Sequence, residues 1–142
     1  MTRTRLLVAE NHLGMRERIV EVLERDFDVV GTVGDGLALV EAAARMKPDL
    51  CVIDISMPSL SGIEAAIELK KDGSDVKLIF LTVHEDPDFV RAGLATGALG
   101  YVLKSRMTTD LCLAVKEAMA GRLFVSPGVA YVTQDDQPED AQ

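Results

Sequence analysis

Five short apolar runs, near residues 5–9, 28–33, 49–54, 77–82 and 99–103, alternate along this chain with segments whose apolar residues recur every three or four positions. Those segments carry Met15, Ile19, Val22 and Leu23; Leu37, Val40, Ala44 and Met46; Ile63, Ile67 and Leu69; Phe89, Val90 and Leu94; and Leu111, Val115, Ala118 and Met119. Strand and helix alternation of this kind predicts five βα units in an α/β fold with a parallel sheet. The strands are apolar throughout rather than alternating, as expected where helices cover both faces of a sheet. Punctuation agrees: Gly34-Asp35-Gly36 opens the second helix, Lys47-Pro48-Asp49 closes it, Asp72-Gly73-Ser74 closes the third and Gly97 the fourth. After Pro127 the pattern changes. Gly128 to Val132 is still partly apolar, but Thr133 to Gln142 is polar and acidic, so one domain over residues 1–127 and a flexible tail or linker over 128–142 are expected.

The strand ends carry the candidate chemistry. The third run delivers Asp54, the fourth Thr82, the fifth Lys104, and the first Glu10 and Asn11. If the strands are parallel in one sheet, these ends share an edge, where a carboxylate is held rigidly yet can react. Alone, an aspartate closing a strand is more often a turn or capping residue, and Thr82 or Lys104 alone would read as surface. Together, acids, a hydroxyl and an ammonium converging on Asp54 suit the acceptance of a phosphoryl group.

The chain has 142 residues, enough for a full core, and a net charge of −8. With its Lys and Arg scattered, it lacks the clustered cations that would hold nucleic acid by itself. The basic start Met1 to Arg5 leads into a five-residue apolar run rather than a signal-peptide core, and no stretch reaches membrane-spanning length, so a cytoplasmic protein is expected. Cys51 and Cys112, far apart, read as reduced core residues. His12 and His84, equally far apart and without a cysteine partner, make a poor metal set.

In combination, Asp54-x-x-Met57-Pro58-x-x-x-Gly62, Leu81-Thr82 and Gly100-Tyr101-Val102-Leu103-Lys104 resemble the receiver domain of two-component response regulators over about residues 4–122. The wording Thr82-Val83-His84-Glu85-Asp86, Ser105 after the lysine, and the run Ala120 to Pro127 are similar to the NarL/LuxR subgroup. The resemblance implies a flavodoxin-like (CheY-like), doubly wound five-stranded sheet of order 2-1-3-4-5 with five helices. It implies a phosphoacceptor, Asp54, rather than an enzyme, any self-dephosphorylation aside. It further implies Mg²⁺ held by Glu10, Asn11, Asp54 and the backbone carbonyl of Ser56, whose side chain matters little there. Lys104 becomes the charge partner, and Thr82 and Tyr101 the switch, with Tyr101 turning from exposed to buried. His84 takes a place where the family tunes phosphate lifetime. The partners implied are a histidine kinase or phosphotransfer protein and a second copy, met through the first and fifth helices or through the fourth helix, fifth strand and fifth helix. Arg16, Glu17, Glu24, Asp110, Lys116 and Glu117 are expected on the exposed sides of the first and fifth helices. The subgroup usually continues into a helix-turn-helix DNA-binding domain that regulates transcription. That domain is absent here, which leaves a piece of a longer regulator or a stand-alone receiver.

One residue departs from the pattern. Most receivers place a second acid where Asn11 stands; its amide oxygen can still ligate a hard cation, but the charge is missing. A degenerate, phosphate-independent receiver acting as an interaction module is therefore the alternative. Other uses of such sheets fit less well: flavin binding calls for a Ser/Thr-rich phosphate loop where Glu10-Asn11-His12-Leu13-Gly14 is acidic, and phosphatase-type hydrolases place the nucleophilic aspartate after the first strand.

Overall fold

The computed structural model describes residues 3–129. Within them the strands β1 (Arg5–Ala9), β2 (Asp28–Val33), β3 (Leu50–Ile53), β4 (Lys77–Thr82) and β5 (Gly100–Leu103) alternate with the helices α1 (Leu13–Leu23), α2 (Gly36–Met46), α3 (Gly62–Lys71), α4 (Pro87–Ala95) and α5 (Met107–Met119). All pairings are parallel, and the order is β2-β1-β3-β4-β5, with a short added strand β6 (Phe124–Val125) on β5. The sheet thus has six strands rather than the five expected. Two residues are too few to show a period, and Gly100 and Tyr101 supply the pairing partners.

Alternate side chains of each strand feed two cores, which is why the strands are apolar on both faces. Leu7, Ile53, Phe80 and Tyr101 pack with α2, α3 and α4, whereas Val8, Val52, Ile79 and Val102 pack with α1 and α5. Local signals fix the helix starts. Asp35 caps α2 through Ala38 N–H, Ser61 and Glu64 form a capping box on α3, and Asp86 with Pro87 opens α4. Lys47 ends α2 in the left-handed region at φ 50°.

The chain stays attached beyond α5. Ser126 N–H continues the β5 ladder by donating to Tyr101 O, Val129 N–H turns back onto Ser126 O, and Val129 is buried among Tyr101, Leu103 and their neighbours. Val129, assigned to the tail from sequence, is therefore packed, while Gly128 beside it is exposed; the rest of that segment, 130–142, lies outside the described residues.

Candidate functional site

The C-terminal ends of β1, β3, β4 and β5 do meet at one edge. Glu10 is held there by backbone bonds: its N–H donates to Val33 O, and both Arg16 Nε and Nη2 donate to its carbonyl at 3.1 and 2.9 Å. Asp54 N–H donates to Ala9 O, tying the third strand end to the first. The loop that follows Asp54 is seated by two glycines. A Cβ on Gly62 would stand 2.2 Å from Asp54 O, and one on Gly36 would stand 2.0 Å from Leu60 O, so neither position admits a side chain without moving backbone.

The side chains form a nearly dry charge cluster. Lys104 Nζ lies 2.9 Å from Glu10 Oε1 and 3.3 Å from Asp54 Oδ2, with the three side chains 10%, 0% and 5% exposed. His12 N–H donates to Glu10 Oε2, and Ser56 N–H to Asp54 Oδ1. Glu10 Oε1 has the ammonium opposite it but no directed hydrogen bond. Two carboxylates against one ammonium leave an excess negative charge in a place of low polarity. Asp54 shows the effect: burial pushes its pKa up, Lys104 pulls it back, and the Glu10 charge raises it again, for a net increase.

Thr82 is buried, and its Oγ1 accepts from His84 N–H at 3.2 Å, leaving its own proton for another acceptor. Tyr101, the residue expected to alternate, is fully buried with its hydroxyl donating to His84 O at 2.8 Å. Burial and the nearby Asp86 charge push the phenol up to about 12, so it remains a donor across physiological pH. One backbone unit, His84, thus joins Thr82 at its N–H to Tyr101 at its carbonyl. Its ring lies 2.8 Å from Ser56 Oγ and stacks on Phe89 at 4.1 Å. The Ser56 side chain, to which the resemblance assigns no part in holding the metal, bonds His84 instead, because the two loops approach closely enough for the ring to reach it.

Asn11 is exposed beside this cluster. Among the described residues no group of three or more His, Cys, Asp or Glu gathers, and at this edge that is what Asn in place of a third acid produces. The donor set still fits a hard divalent cation. It offers only oxygens, including one buried carboxylate oxygen without a hydrogen bond and uncompensated negative charge. A cleft of about 630 Å³, lined by Val40, Lys47, Leu69, Asp72 and Lys77 among others, opens beside the starts of β3 and β4, at the opposite edge from Asp54.

Two of the residues expected to face a partner are occupied within the fold. Arg16 spends its guanidinium on Glu10 O, and Asp110 is buried, accepting from Arg106, Thr109 and Ser126. Helical periodicity placed Asp110 outward because a charged residue is the normal marker of a solvated face; the hydroxyl and guanidinium that make it an inward one come from elsewhere in the chain. Burial alone would raise the Asp110 pKa, but hydrogen bonds from Arg106, Ser126 and Thr109 and the Arg106 charge outweigh it and hold the carboxyl below 3.8. Its contribution to stability is then complete above the unfolded value and lost as pH falls through the lowered one. Thermal melts across the acid range should show Asp110→Asn less stable than the parent near neutrality and converging on it below pH 3.8. A gap that does not change with pH would remove the charge from the account.

A parallel sheet with a carboxylate after β3, a hydroxyl after β4 and a lysine after β5 around an acidic pocket defines a signalling domain of the receiver class. Residues 6–116 match the response regulator receiver domain, and the chain belongs to that family. It is 34% identical over 128 residues to the transcriptional regulatory protein DegU of Brevibacillus brevis, covering 89% of this chain and 54% of that protein. The receiver domain of the response regulator NarL from Mycobacterium tuberculosis superposes with a TM-score of 0.82 at 28% identity, covering 86% of this chain and 100% of that one. A LuxR-family two-component response regulator from Aurantimonas sp. SI85-9A1 gives 0.85 at 27% identity, over 91% and 93% of the two chains. The NarL/LuxR character of the sequence is thereby shown, and the chain spans about half the length of DegU.

Proposed function

We propose that Asp54 accepts a phosphoryl group from a phosphohistidine of a kinase or phosphotransfer protein. The observation that carries this reading is Lys104 Nζ set between Glu10 and Asp54 at the sheet edge, where excess negative charge is buried. An Asp54 carboxylate oxygen forms the O–P bond as the P–N bond breaks, and the imidazole leaves with the electron pair and takes up a proton. Mg²⁺ held by Glu10, Asp54, the Asn11 amide oxygen and the Ser56 carbonyl would neutralise charge on the phosphoryl oxygens. Lys104 already stands 3.3 Å from Asp54 and is placed to follow the new charge. Thr82 offers its free hydroxyl proton to a phosphoryl oxygen; doing so pulls on His84 N–H, and through the His84 carbonyl on Tyr101. An output in transcription, as in the transcriptional regulatory protein DegU, goes with this reading, and so does a cytoplasmic location. Incubation with Mg²⁺ and acetyl phosphate, followed by borohydride reduction and peptide mapping, should find Asp54 converted to homoserine, the product left when hydride expels phosphate from an aspartyl phosphate. An unlabelled chain at saturating Mg²⁺ favours the phosphate-independent module, the reading that Asn11 supports.

For self-association, the α1 and α5 faces are favoured over the one containing β5. β6 occupies the β5 edge, whereas Leu13 and Leu113, 63% and 47% exposed, stand on α1 and α5 among Glu17, Glu24 and Lys116. Light scattering with beryllofluoride should show a dimer that Leu113→Glu weakens; a dimer indifferent to this change places the contact elsewhere.

A further inference from the structure

Five polar or charged side chains are buried among the described residues, and three of them, Glu10, Asp54 and Thr82, belong to the pocket. The other two, Asp110 and Ser126, are bonded to each other at 2.7 Å, Ser126 Oγ donating to Asp110 Oδ2. A buried ionised carboxylate needs strong partners, and here they are Arg106 and Thr109, just after Lys104, and Ser126, which reaches back from beyond α5. Where the backbone ladder between β5 and β6 ends, the Ser126 hydroxyl takes over and accepts Leu103 N–H at 3.1 Å. Leu103 is the residue before Lys104. On the other side, Arg106 Nε donates to Asp110 Oδ2 at 2.8 Å, and Thr109 Oγ1 donates to Oδ1 at 3.0 Å. The 3₁₀ turn Lys104–Arg106 is thus gripped at both ends by one hydrogen-bonded unit.

We propose that Asp110 and Ser126 are positioning residues for Lys104, forming a clasp that fixes the Lys104–Arg106 turn. The placement of the ammonium opposite Asp54 then depends on the segment after α5 being docked. Neither residue touches the pocket; both act through the backbone that carries Lys104. Val129, packed on Tyr101 and Leu103, holds the same segment from the other side of the sheet. Because coupling is reciprocal, a change that draws Lys104 toward new charge on Asp54 loosens or tightens the chain at Ser126, where it leaves the domain. In its effect on phosphorylation, the inference rests on Lys104 serving the Asp54 phosphoryl group.

The test uses the whole chain, with two readouts on Ser126→Ala alone and in a Lys104→Ala background. In metal-free protein, amide exchange at Leu103 through Arg106 should quicken, and the side-chain carbon signals of Lys104 in lysine-labelled protein should shift. Labelling by acetyl phosphate should slow about tenfold, a fraction of the ~100-fold that a misplacement near 1 Å can cost. Once Lys104 is Ala, Ser126→Ala should slow it no further. An equal slowing in both backgrounds overturns the clasp in favour of general destabilisation, and so does a Lys104 signal that stays put. Should Ser126→Ala fail to fold, Ser126→Cys, close in volume but a weak donor, replaces it with the same criteria. A wild-type chain that takes no phosphate defeats the acceptor reading instead, and the exchange and Lys104 signals still decide the clasp.

Discussion

Asp54→Asn is expected to abolish labelling by acetyl phosphate or a kinase and, in metal-free protein near neutrality, to raise the melting temperature. The loss of labelling follows from the chemistry. An amide oxygen cannot form a stable acyl phosphate, and no other described carboxylate except the fully buried Glu10 lies within reach of Lys104 at this edge. The gain in stability follows from the charge count. Asp54 has its pKa raised by burial and by Glu10, against the pull of Lys104, so folding disfavours its ionised form. With the folded value above the unfolded one, the ionised carboxylate costs stability that grows as pH rises through that window. Asn keeps the shape and can still accept from Ser56 N–H, while Lys104 is left with Glu10 as a neutral pair. Melts against pH should therefore show the variant ahead at neutrality and level with the parent in acid. Labelling that persists in Asp54→Asn would take the acceptor role away from this residue. A variant less stable at every pH would mean that the Lys104 attraction outweighs burial.

Much of this site was legible because strand ends are legible. Continuous apolar runs locate the strands to within a residue, and parallel pairing puts their ends on one edge, so Asp54, Thr82, Lys104 and Glu10 could be brought together without knowing a single contact. Helix facing was read less well. In α2 and α3 the largest apolar residues suggested the inner face, yet Leu37 and Ile67 are 56% and 46% exposed while Ala42, Ala43, Ala65 and Ala66 are buried. These two helices pack against each other as well as on the sheet, and close approach selects small side chains over hydrophobic ones. Buried polar partnerships were invisible for a related reason. The bond from Ser126 to Asp110 spans 16 residues and that from Ser56 to His84 spans 28, and nothing in either local pattern names its partner. Arg16 has a trace in the sequence. It lies six residues past Glu10, at the fourth position of α1 and about one helical turn in, but helix periodicity alone assigned it to solvent.

Asn11→Asp should tighten Mg²⁺ binding by about ten- to a hundredfold and speed phosphorylation at limiting metal. A unit charge about 4 Å from a divalent ion gains roughly 2 kcal/mol at the dielectric of water and roughly 8 at an effective value of 20. Asn11 is exposed, so its side chain sits nearer the first limit than Glu10 and Asp54 do. Dehydration of the ion and the carboxylate offsets part of the gain, leaving about 1.4–2.8 kcal/mol, which is the stated range of affinity. Titration followed by melting temperature reads this without any phosphoryl transfer: the variant should reach its metal-stabilised plateau at lower Mg²⁺. Without metal the order reverses, because a third carboxylate beside Glu10 and Asp54 crowds like charges that one ammonium already fails to balance. An affinity that is unchanged or weaker would mean that residue 11 does not reach the ion. The charge missing at Asn11 would then have to be supplied by a different residue, or the pocket would work as it stands, with Glu10 and Asp54 as its only carboxylates among the described residues.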